Sequence, residues 1–326
     1  MNTYLPTVSI LIAMRNEEKY IGKCLEGFTK QNYPKEKFDI FLIDGCSEDN
    51  SMKIVNFYKS KFNKIQILNN EGLITPVGWN LGIQASKNDI VAIFSAHSIP
   101  SNTYISNAIK TMLSTGADCV GGPMSAIGDS IVGQAISYAT STPLGMGASV
   151  FHYSKKPQYV HTVYLGFFKR EIFENVGYFD EDLVRNQDDE MSYRIRKNGG
   201  KIYYDPNIKS VYYNRSSLTK LFKQYFQYGL YKPLVFRKLK YGMQVHHFIP
   251  AVFLIYLLSL IVFSNFTIYF FPLILYFILC IYFTIKSKLD IATSLLSIIV
   301  YPILHISYGL GFLMGIPKAF YGKISQ

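Results

Sequence analysis

A chain of 326 residues, 49 % hydrophobic and 16 % aromatic, is long enough for about two domains and a sizeable core. Cys24, Cys46, Cys119 and Cys280 are scattered, with no C-x-x-C pair and no metal-ligand spacing, so they read as reduced cytosolic or core thiols and exclude a cysteine-based metal centre. The net charge of +11 is lopsided: Ser216 to Gln326 holds ten Lys or Arg against one acid, Asp290, which beside apolar spans suits an anionic membrane surface and, without a recognition motif, not nucleic acid.

Met1 to Pro6 lacks the apolar region of a signal peptide, which predicts a cytoplasmic N-terminal domain. Val8 to Ala13 is a short apolar run that reads as a buried strand. Asn16 to Phe28 follows with Tyr20, Ile21, Cys24, Leu25 and Phe28 at helical spacing. Phe38 to Ile43 predicts a second strand, Met52 to Lys61 a helix, and Ile65 to Leu68 a third strand. A helix over Pro76 to Ala85, a strand over Ile90 to Phe94 and a helix over Asn102 to Ser114 continue the alternation. Alternating elements favour a parallel, doubly wound α/β sheet, whose ligands bind beyond the carboxyl ends of the strands. Three polar clusters lie at those ends: Arg15-Asn16-Glu17, Asp44-Gly45 and Ser95-Ala96-His97. Together they predict a pocket.

After Asp118 to Gly122 the pattern loosens, and Gly133 to Tyr159, rich in Gly, Ser, Thr and Tyr, reads as an acceptor-side loop region. Tyr164 to Glu174 resumes as strand then helix, and Lys201 to Asp205 as strand. Between them stands Asn186-Gln187-Asp188-Asp189-Glu190, three consecutive carboxylates ahead of the helical run Met191 to Lys197. Carboxylates this close repel unless they are solvated, bound by a cation or used for proton transfer, so a catalytic base is sought here. The other reading is an acidic first turn that complements the helix macrodipole.

Ser217 to Gly229 sets Leu218, Leu221, Phe222, Tyr225 and Phe226 on one face with Lys220 and Lys223 between them, a basic amphipathic helix suited to a membrane interface. Phe248 to Phe263 and Phe266 to Ile285 are uncharged and about long enough to cross a bilayer, joined by the neutral turn Ser264-Asn265. Arg237, Lys238, Lys240, Lys286 and Lys288 flank the pair, so both ends of the hairpin are expected in the cytoplasm. Ile291 to Ile316 is apolar but carries Pro302, His305 and three glycines. It is compatible with a third span, which would place Lys318 and Lys323 outside against the charge rule, or with a helix lying at the interface.

The ordered set Val8-Ser9-Ile10 into Arg15-Asn16-Glu17-Glu18, Asp44-Gly45-x-Ser47-x-Asp49, Asn80-x-Gly82 and Asn186-Gln187-Asp188-Asp189-Glu190-x-x-x-Arg194 resembles the family 2 inverting glycosyltransferases of GT-A fold, most closely the succinoglycan-type exopolysaccharide enzymes. The resemblance covers roughly Pro6 to Gly229. It implies a nucleotide-diphosphate sugar donor, with Asp44 contacting the nucleoside, Arg15, Asn16 and Glu17 approaching base or phosphate, and Asn80 near the donor. Each has a structural alternative: Asp44 as an Asx-turn residue before Gly, Asn16 or Glu17 as caps, Asn80 as an inward amide satisfied by backbone. Ser95-Ala96-His97 occupies the place of the D-x-D-like motif that holds a divalent cation. Ser95 replaces the leading Asp of close relatives, which leaves His97 as the expected metal ligand. An imidazole suits Mn²⁺ better than Mg²⁺, and His97 can instead donate a hydrogen bond to phosphate.

The same resemblance gives Asp188 the role of general base, with Asp189 as the alternative, and Glu190 and Arg194 are expected to pair along the helix. Gln224-Tyr225-Phe226-Gln227-Tyr228-Gly229 lies where processive relatives carry Gln-x-x-Arg-Trp but has neither Arg nor Trp, so single-sugar transfer is expected. The expected organisation is a catalytic domain over 1–214, an amphipathic helix and basic linker over 215–246, and membrane helices over 247–326. The acceptor expected is lipid-linked or a glycan, at the cell membrane. A silent nucleotide-sugar-binding scaffold and a polyprenyl-phosphate sugar synthase are the competing readings.

Overall fold

The structure, a computed structural model, describes residues 5–62, 64–214, 217–240, 244–263 and 267–321. The N-terminal residues before Leu5, the expected Ser264-Asn265 turn and Lys323 lie outside the described residues. Contacts divide the rest into two compact units: residues through Ser125 with Ser154–Tyr212, and Ala126–Tyr153 with Tyr213 onward.

In the first unit β1 (Val8–Met14), β2 (Phe38–Asp44), β3 (Ile65–Asn69) and β4 (Ile90–Ser95) are parallel, with β1 between β2 and β4. Their near-continuous apolar sequence follows from burial on both faces: Ile10, Leu11 and Ile12 have no exposed surface. With β6 (Cys119–Gly122), β8 (Gln158–Tyr159), β9 (Tyr164–Lys169) and β10 (Ile202–Tyr204), the sheet runs β3-β2-β1-β4-β9-β6-β10-β8. The chain moves outward from β1 through β2 to β3, then returns to place β4 on the other side of β1. That reversal opens a crevice beyond the carboxyl ends of β1 and β4. The sheet is mostly parallel. Strand β9 is antiparallel to both β4 and β6, and β8 to β10, within the mostly parallel sheet that the GT-A resemblance implies.

Helices α1 (Ile21–Thr29), α2 (Ser51–Lys59), α3 (Thr75–Ala85) and α4 (Tyr104–Thr115) cover the sheet. The first begins five residues later than its apolar spacing predicts, because Asn16 takes a left-handed φ of 55° and Arg15–Lys19 form a loop. Phe28, Phe94 and Tyr104 interlock edge to face at 5.0 and 5.2 Å. Gly82 lets α3 lie directly on the sheet, since a Cβ there would come within 2.9 Å of Leu11 and 3.0 Å of Ile43. Strand β7 (Met124–Ile127) follows β6, and a short strand β5 (Ser98–Pro100) pairs with β11 (Ser210–Tyr213) and sets Ser98 opposite Tyr212. Helices α7 (Glu171–Val176) and α8 (Gln187–Lys197) follow β9.

The second unit is helical. Within the stretch expected to be loop, the chain forms α5 (Ile131–Ala139) and α6 (Pro143–Met146). Their composition is poor in helix formers, but Ala135, Ile136 and Ala139 are buried in one cluster with Val300, Tyr301 and Leu304, and Ser130 caps α5 through the Gly133 amide. Tertiary burial therefore overrides local propensity. The basic amphipathic segment is α9 (Leu218–Leu239), a 22-residue helix that continues through Pro233.

Next come α10 (Ile249–Phe263), α11 (Phe271–Ile285, preceded by a 3-10 turn from Thr267) and α12 (Ile291–Tyr321). At 15 residues α10 is about 22 Å long, short of the ~30 Å hydrocarbon core. Among the described residues, two segments are long and apolar enough to cross a membrane: Thr267–Ile285, of mean hydropathy 2.3 and 11 % buried, and Ile291–Phe320, of mean hydropathy 1.7 and 44 % buried. The third apolar segment is thus one continuous helix despite Pro302, and protein covers nearly half of it. Its glycines explain the cover. A Cβ at Gly311 would lie 2.0 Å from the Phe226 carbonyl and one at Gly315 2.4 Å from that of Leu230, so α12 and α9 touch backbone to backbone.

Candidate active site

The loops after β1 and β2 are sewn together by short polar side chains. Asn16, in the left-handed conformation that Asn tolerates, accepts from the Glu48 amide at 2.8 Å while its own amide donates to Ser47 Oγ at 2.9 Å. Glu17 N–H donates to Ser51 Oγ at 2.6 Å, Glu18 N–H to Asp49 at 3.1 Å, and the Glu18 carboxylate accepts from both the backbone and side chain of Asn50. Asn16 therefore fixes the loop, and Arg15 lies exposed alongside Gly45.

Asp44, buried at the tip of β2, accepts from the Ser47 hydroxyl at 2.5 Å and the Ser47 amide at 3.1 Å. The side chain thus closes the Asp44–Ser47 turn, reaching one residue further than an Asx turn would. Each carboxylate oxygen keeps a further lone pair, so the turn does not exhaust its acceptor capacity.

On the other side of the crevice, His97 Nε2 lies 2.8 Å from Glu17 Oε1, with the two side chains only 22 % and 13 % exposed. The ring stands edge-on to Tyr20 at 5.2 Å and to Tyr212 at 6.3 Å, and the His97 amide donates to Ser95 Oγ at 3.2 Å. Glu17, Ser95 and His97 thus form one cluster over β1 and β4. With Nε2 facing a carboxylate, Nδ1 is the nitrogen left for another partner. Behind the cluster, burial pushes the Cys24 thiol far up and the Glu17 charge adds to the effect, so Cys24 stays a neutral core thiol.

Asn80 is held by the segment after α7. Its Nδ2 donates to the Phe179 carbonyl at 2.9 Å and Glu181 Oε1 at 2.8 Å, and its Oδ1 accepts from the Phe179 amide at 3.0 Å. Buried on α3, it clamps the segment that runs from α7 into α8, and Trp79 packs on Phe179 with the rings tilted, their centroids 5.0 Å apart. Arg194 grips the same segment from α8. Its guanidinium takes Glu190 at 2.6 and 2.7 Å, as the four-residue spacing predicts, and also donates to Tyr178 O at 2.7 Å, to Gly177 O at 3.2 Å and to Val176 O.

These anchors sort the three carboxylates. Glu190 is buried against Arg194. Asp189 is partly buried; burial holds the Arg196 guanidinium below its ordinary range, and the charges of Asp189 and Tyr193 partly offset that. Asp188 is the exposed member, in the first turn of α8. Sequence reasoning missed Glu181, Tyr20, Tyr212 and the stitching residues Glu18 and Asn50. The alternation of Ser47, Asp49 and Ser51 was the available signal for the last pair.

Among the described residues no three His, Cys, Asp or Glu side chains converge on a metal-sized site. The pair Glu17 and His97 offers two ligands at most.

The family description Glycosyl transferase family 2 matches residues 9–177, more than half of the chain. A protein of Methanococcus voltae, "Dolichyl N-acetyl-alpha-D-glucosaminyl phosphate 3-beta-D-2,3-diacetamido-2,3-dideoxy-beta-D-glucuronosyltransferase", is 35 % identical over 263 residues, 78 % of this chain and 81 % of that protein. The succinoglycan biosynthesis protein ExoA of Rhizobium meliloti is 28 % identical over 222 residues, 68 % of this chain and 67 % of its own. Among solved structures, the mannosyltransferase PcManGT of Pyrobaculum calidifontis in complex with GDP-Man and Mn²⁺ aligns with a TM-score of 0.61 at 15 % identity, over 98 % of this chain and 88 % of that one, a likeness of fold. With these matches beside the crevice and its carboxylates, the chain belongs to glycosyl transferase family 2 and is a glycosyltransferase of GT-A fold.

Proposed function

We propose that this glycosyltransferase moves one sugar, with inversion, from a nucleotide-diphosphate donor to a lipid-linked acceptor at a membrane during surface glycan assembly. The observation that carries the reading is the sorting of the acidic cluster: Glu190 is buried in an ion pair with Arg194, Asp189 is half-buried, and Asp188 is exposed in the first turn of α8, after a segment clamped by Asn80. A rigidly held, solvent-facing carboxylate suits a base that meets an incoming hydroxyl.

In the reaction, the acceptor oxygen attacks the anomeric carbon from the side opposite the nucleotide, the carbon–oxygen bond to the diphosphate breaks, and its electron pair leaves with the nucleoside diphosphate. Asp188 takes the acceptor proton as the new bond forms. Asp44 receives a donor N–H or O–H of the nucleoside on its remaining lone pairs, and Arg15 lies exposed at the same rim to meet phosphate charge. Asn16 and Asn80 act by position, one holding the loop after β1 and the other the approach to α8.

Glu17 and His97 fit one edge of a divalent cation site, Mn²⁺ or Mg²⁺, because hard cations in phosphate sites take one or two protein ligands and complete their shell with phosphate oxygens and water. The contact of Nε2 with a carboxylate matches the support a ligating imidazole receives. When bound, such an ion would neutralise charge developing on the leaving diphosphate. Ser95, whose hydroxyl accepts from the His97 amide, shapes this turn without supplying the carboxylate usual there.

The membrane assignment rests on the apolar segments Thr267–Ile285 and Ile291–Phe320, the basic helix α9, and the dolichyl-linked acceptor in the name of the Methanococcus voltae relative. In this reading 1–214 carries catalysis, 215–246 meets the interface and 247–326 anchors, with the catalytic region on the cytoplasmic, basic side. The test is a panel of nucleotide sugars offered to the full chain in nanodiscs with a polyprenyl-linked acceptor sugar and with the same sugar free, in Mn²⁺, Mg²⁺ or chelator. Transfer to the lipid-linked acceptor, lost in chelator, is expected. Donor binding with no transfer to any acceptor would replace this reading with the scaffold.

A further inference from the structure

The second unit contains an apolar cavity of about 300 Å³ that none of the catalytic roles above uses. Phe222 of α9, Phe277 of α11 and Ile299, Pro302, Ile303 and Ile306 of α12 line it. We propose that this groove holds the isoprenoid units next to the phosphate of the lipid-linked acceptor, an inference that rests on the function proposed above.

Three observations commit the groove to that occupant. Apart from Phe222 its walls belong to the two segments apolar enough to enter a bilayer, and Phe277 and Ile299 are exposed there, so a lipid can enter sideways without crossing water. The volume is about twice the ~150 Å³ of an apolar cavity that takes up benzene, room for roughly ten carbons, or two isoprene units. Charge is complementary: on α9, Lys220 and Lys223 flank Phe222, and both are exposed. A polyprenyl phosphate has this polarity, a short branched hydrocarbon run ending in a phosphate. Two exposed ammonium groups on α9, within two residues of the lining Phe222, suit that phosphate, and branched walls of isoleucine around a proline suit methyl branches better than a straight acyl chain. The groove would then fix how far the acceptor sugar stands from the helix that holds its lipid.

The experiment uses the full chain in nanodiscs and, as probe, an undecaprenyl phosphate carrying a photoreactive group on its second isoprene unit. Crosslinks at Phe277, Ile299 or Ile303, competed by undecaprenyl phosphate and not by hexadecyl phosphate, are expected. Labels spread over the outward faces of α10 and α11, or equal competition by hexadecyl phosphate, would overturn the assignment, the latter making the groove a seat for ordinary bilayer lipid. In parallel, Ile303→Trp should raise the KM for the polyprenyl-linked acceptor roughly tenfold or more while leaving the donor KM unchanged. Ile278→Trp, exposed on α11 outside the groove, should change neither. An unchanged acceptor KM in Ile303→Trp would also count against the groove. Labelling in the groove by a chain that transfers no sugar would support the lipid site and defeat the reaction, so the two failures are distinct.

Discussion

Replacing Arg194 by Ala should be among the most damaging single changes outside the sheet core. Its guanidinium neutralises Glu190, which is 4 % exposed, through bonds of 2.6 and 2.7 Å, and satisfies carbonyls of Val176, Gly177 and Tyr178. Removing one member of a buried pair costs about 3–5 kcal/mol, chiefly because the other charge is left without a partner. The arginine side chain is 20 % exposed, so water can reach part of the site, and the lower end, about 3 kcal/mol, is expected. Glu190→Gln leaves the cation rather than the anion, in the more accessible partner, and should cost about 1–2 kcal/mol. The double variant Glu190→Gln/Arg194→Met should be less destabilised than the sum of the single changes, because no buried charge is stranded. Denaturant unfolding followed through Trp79, the one tryptophan, reads this directly, since Trp79 packs on Phe179 in the segment Arg194 holds. An Arg194→Ala variant within about 0.5 kcal/mol of the native chain would refute the clamp.

Glu17→Ala should raise the Mn²⁺ concentration needed for half-maximal transfer by roughly 10–100-fold, because His97 loses the carboxylate that orients it; an unchanged metal titration would remove the pair from the cation site. Gly82→Val should destabilise by about 1–3 kcal/mol in denaturant unfolding, since the added atoms meet Leu11 and Ile43 across a contact with no slack. For Asp49, burial raises the carboxyl pKa, but hydrogen bonds from the Ser51 side chain and the Ser51 and Glu18 amides outweigh it and leave the group below its ordinary value. The folded state then binds that proton less readily than the unfolded state, so the stabilisation is full above the usual aspartate pKa of about 4 and fades as pH falls through the folded value. Ser51→Ala should flatten the acid limb of a stability-against-pH profile; an unaltered limb would show that these bonds do not set it.

Much of the sheet was legible because β1, β2 and β4 are buried on both faces and so read as unbroken apolar runs. The polar clusters that end them could be placed in a crevice by alternation alone. The late start of α1 was not legible, since the left-handed turn at Asn16 depends on bonds to Ser47 and Glu48 from another loop. Helices α5 and α6 escaped for a related reason: their stability lies in burial against α12, which no local pattern reports. The spacing of Glu190 and Arg194 predicted their pairing, whereas the contact of Glu17 with His97 and the grip of Asn80 on Phe179 join residues far apart in the chain. Only the folded backbone brings such partners within reach.

The account stands most directly on the carboxylate that takes the acceptor proton. In nanodiscs, with a donor that supports transfer, Asp188→Asn should lower kcat by about 10²–10⁴-fold while the donor Kd stays within about twofold, and Asp189→Asn should lower kcat far less. Native turnover in Asp188→Asn, or a greater loss in Asp189→Asn, would contradict the assignment.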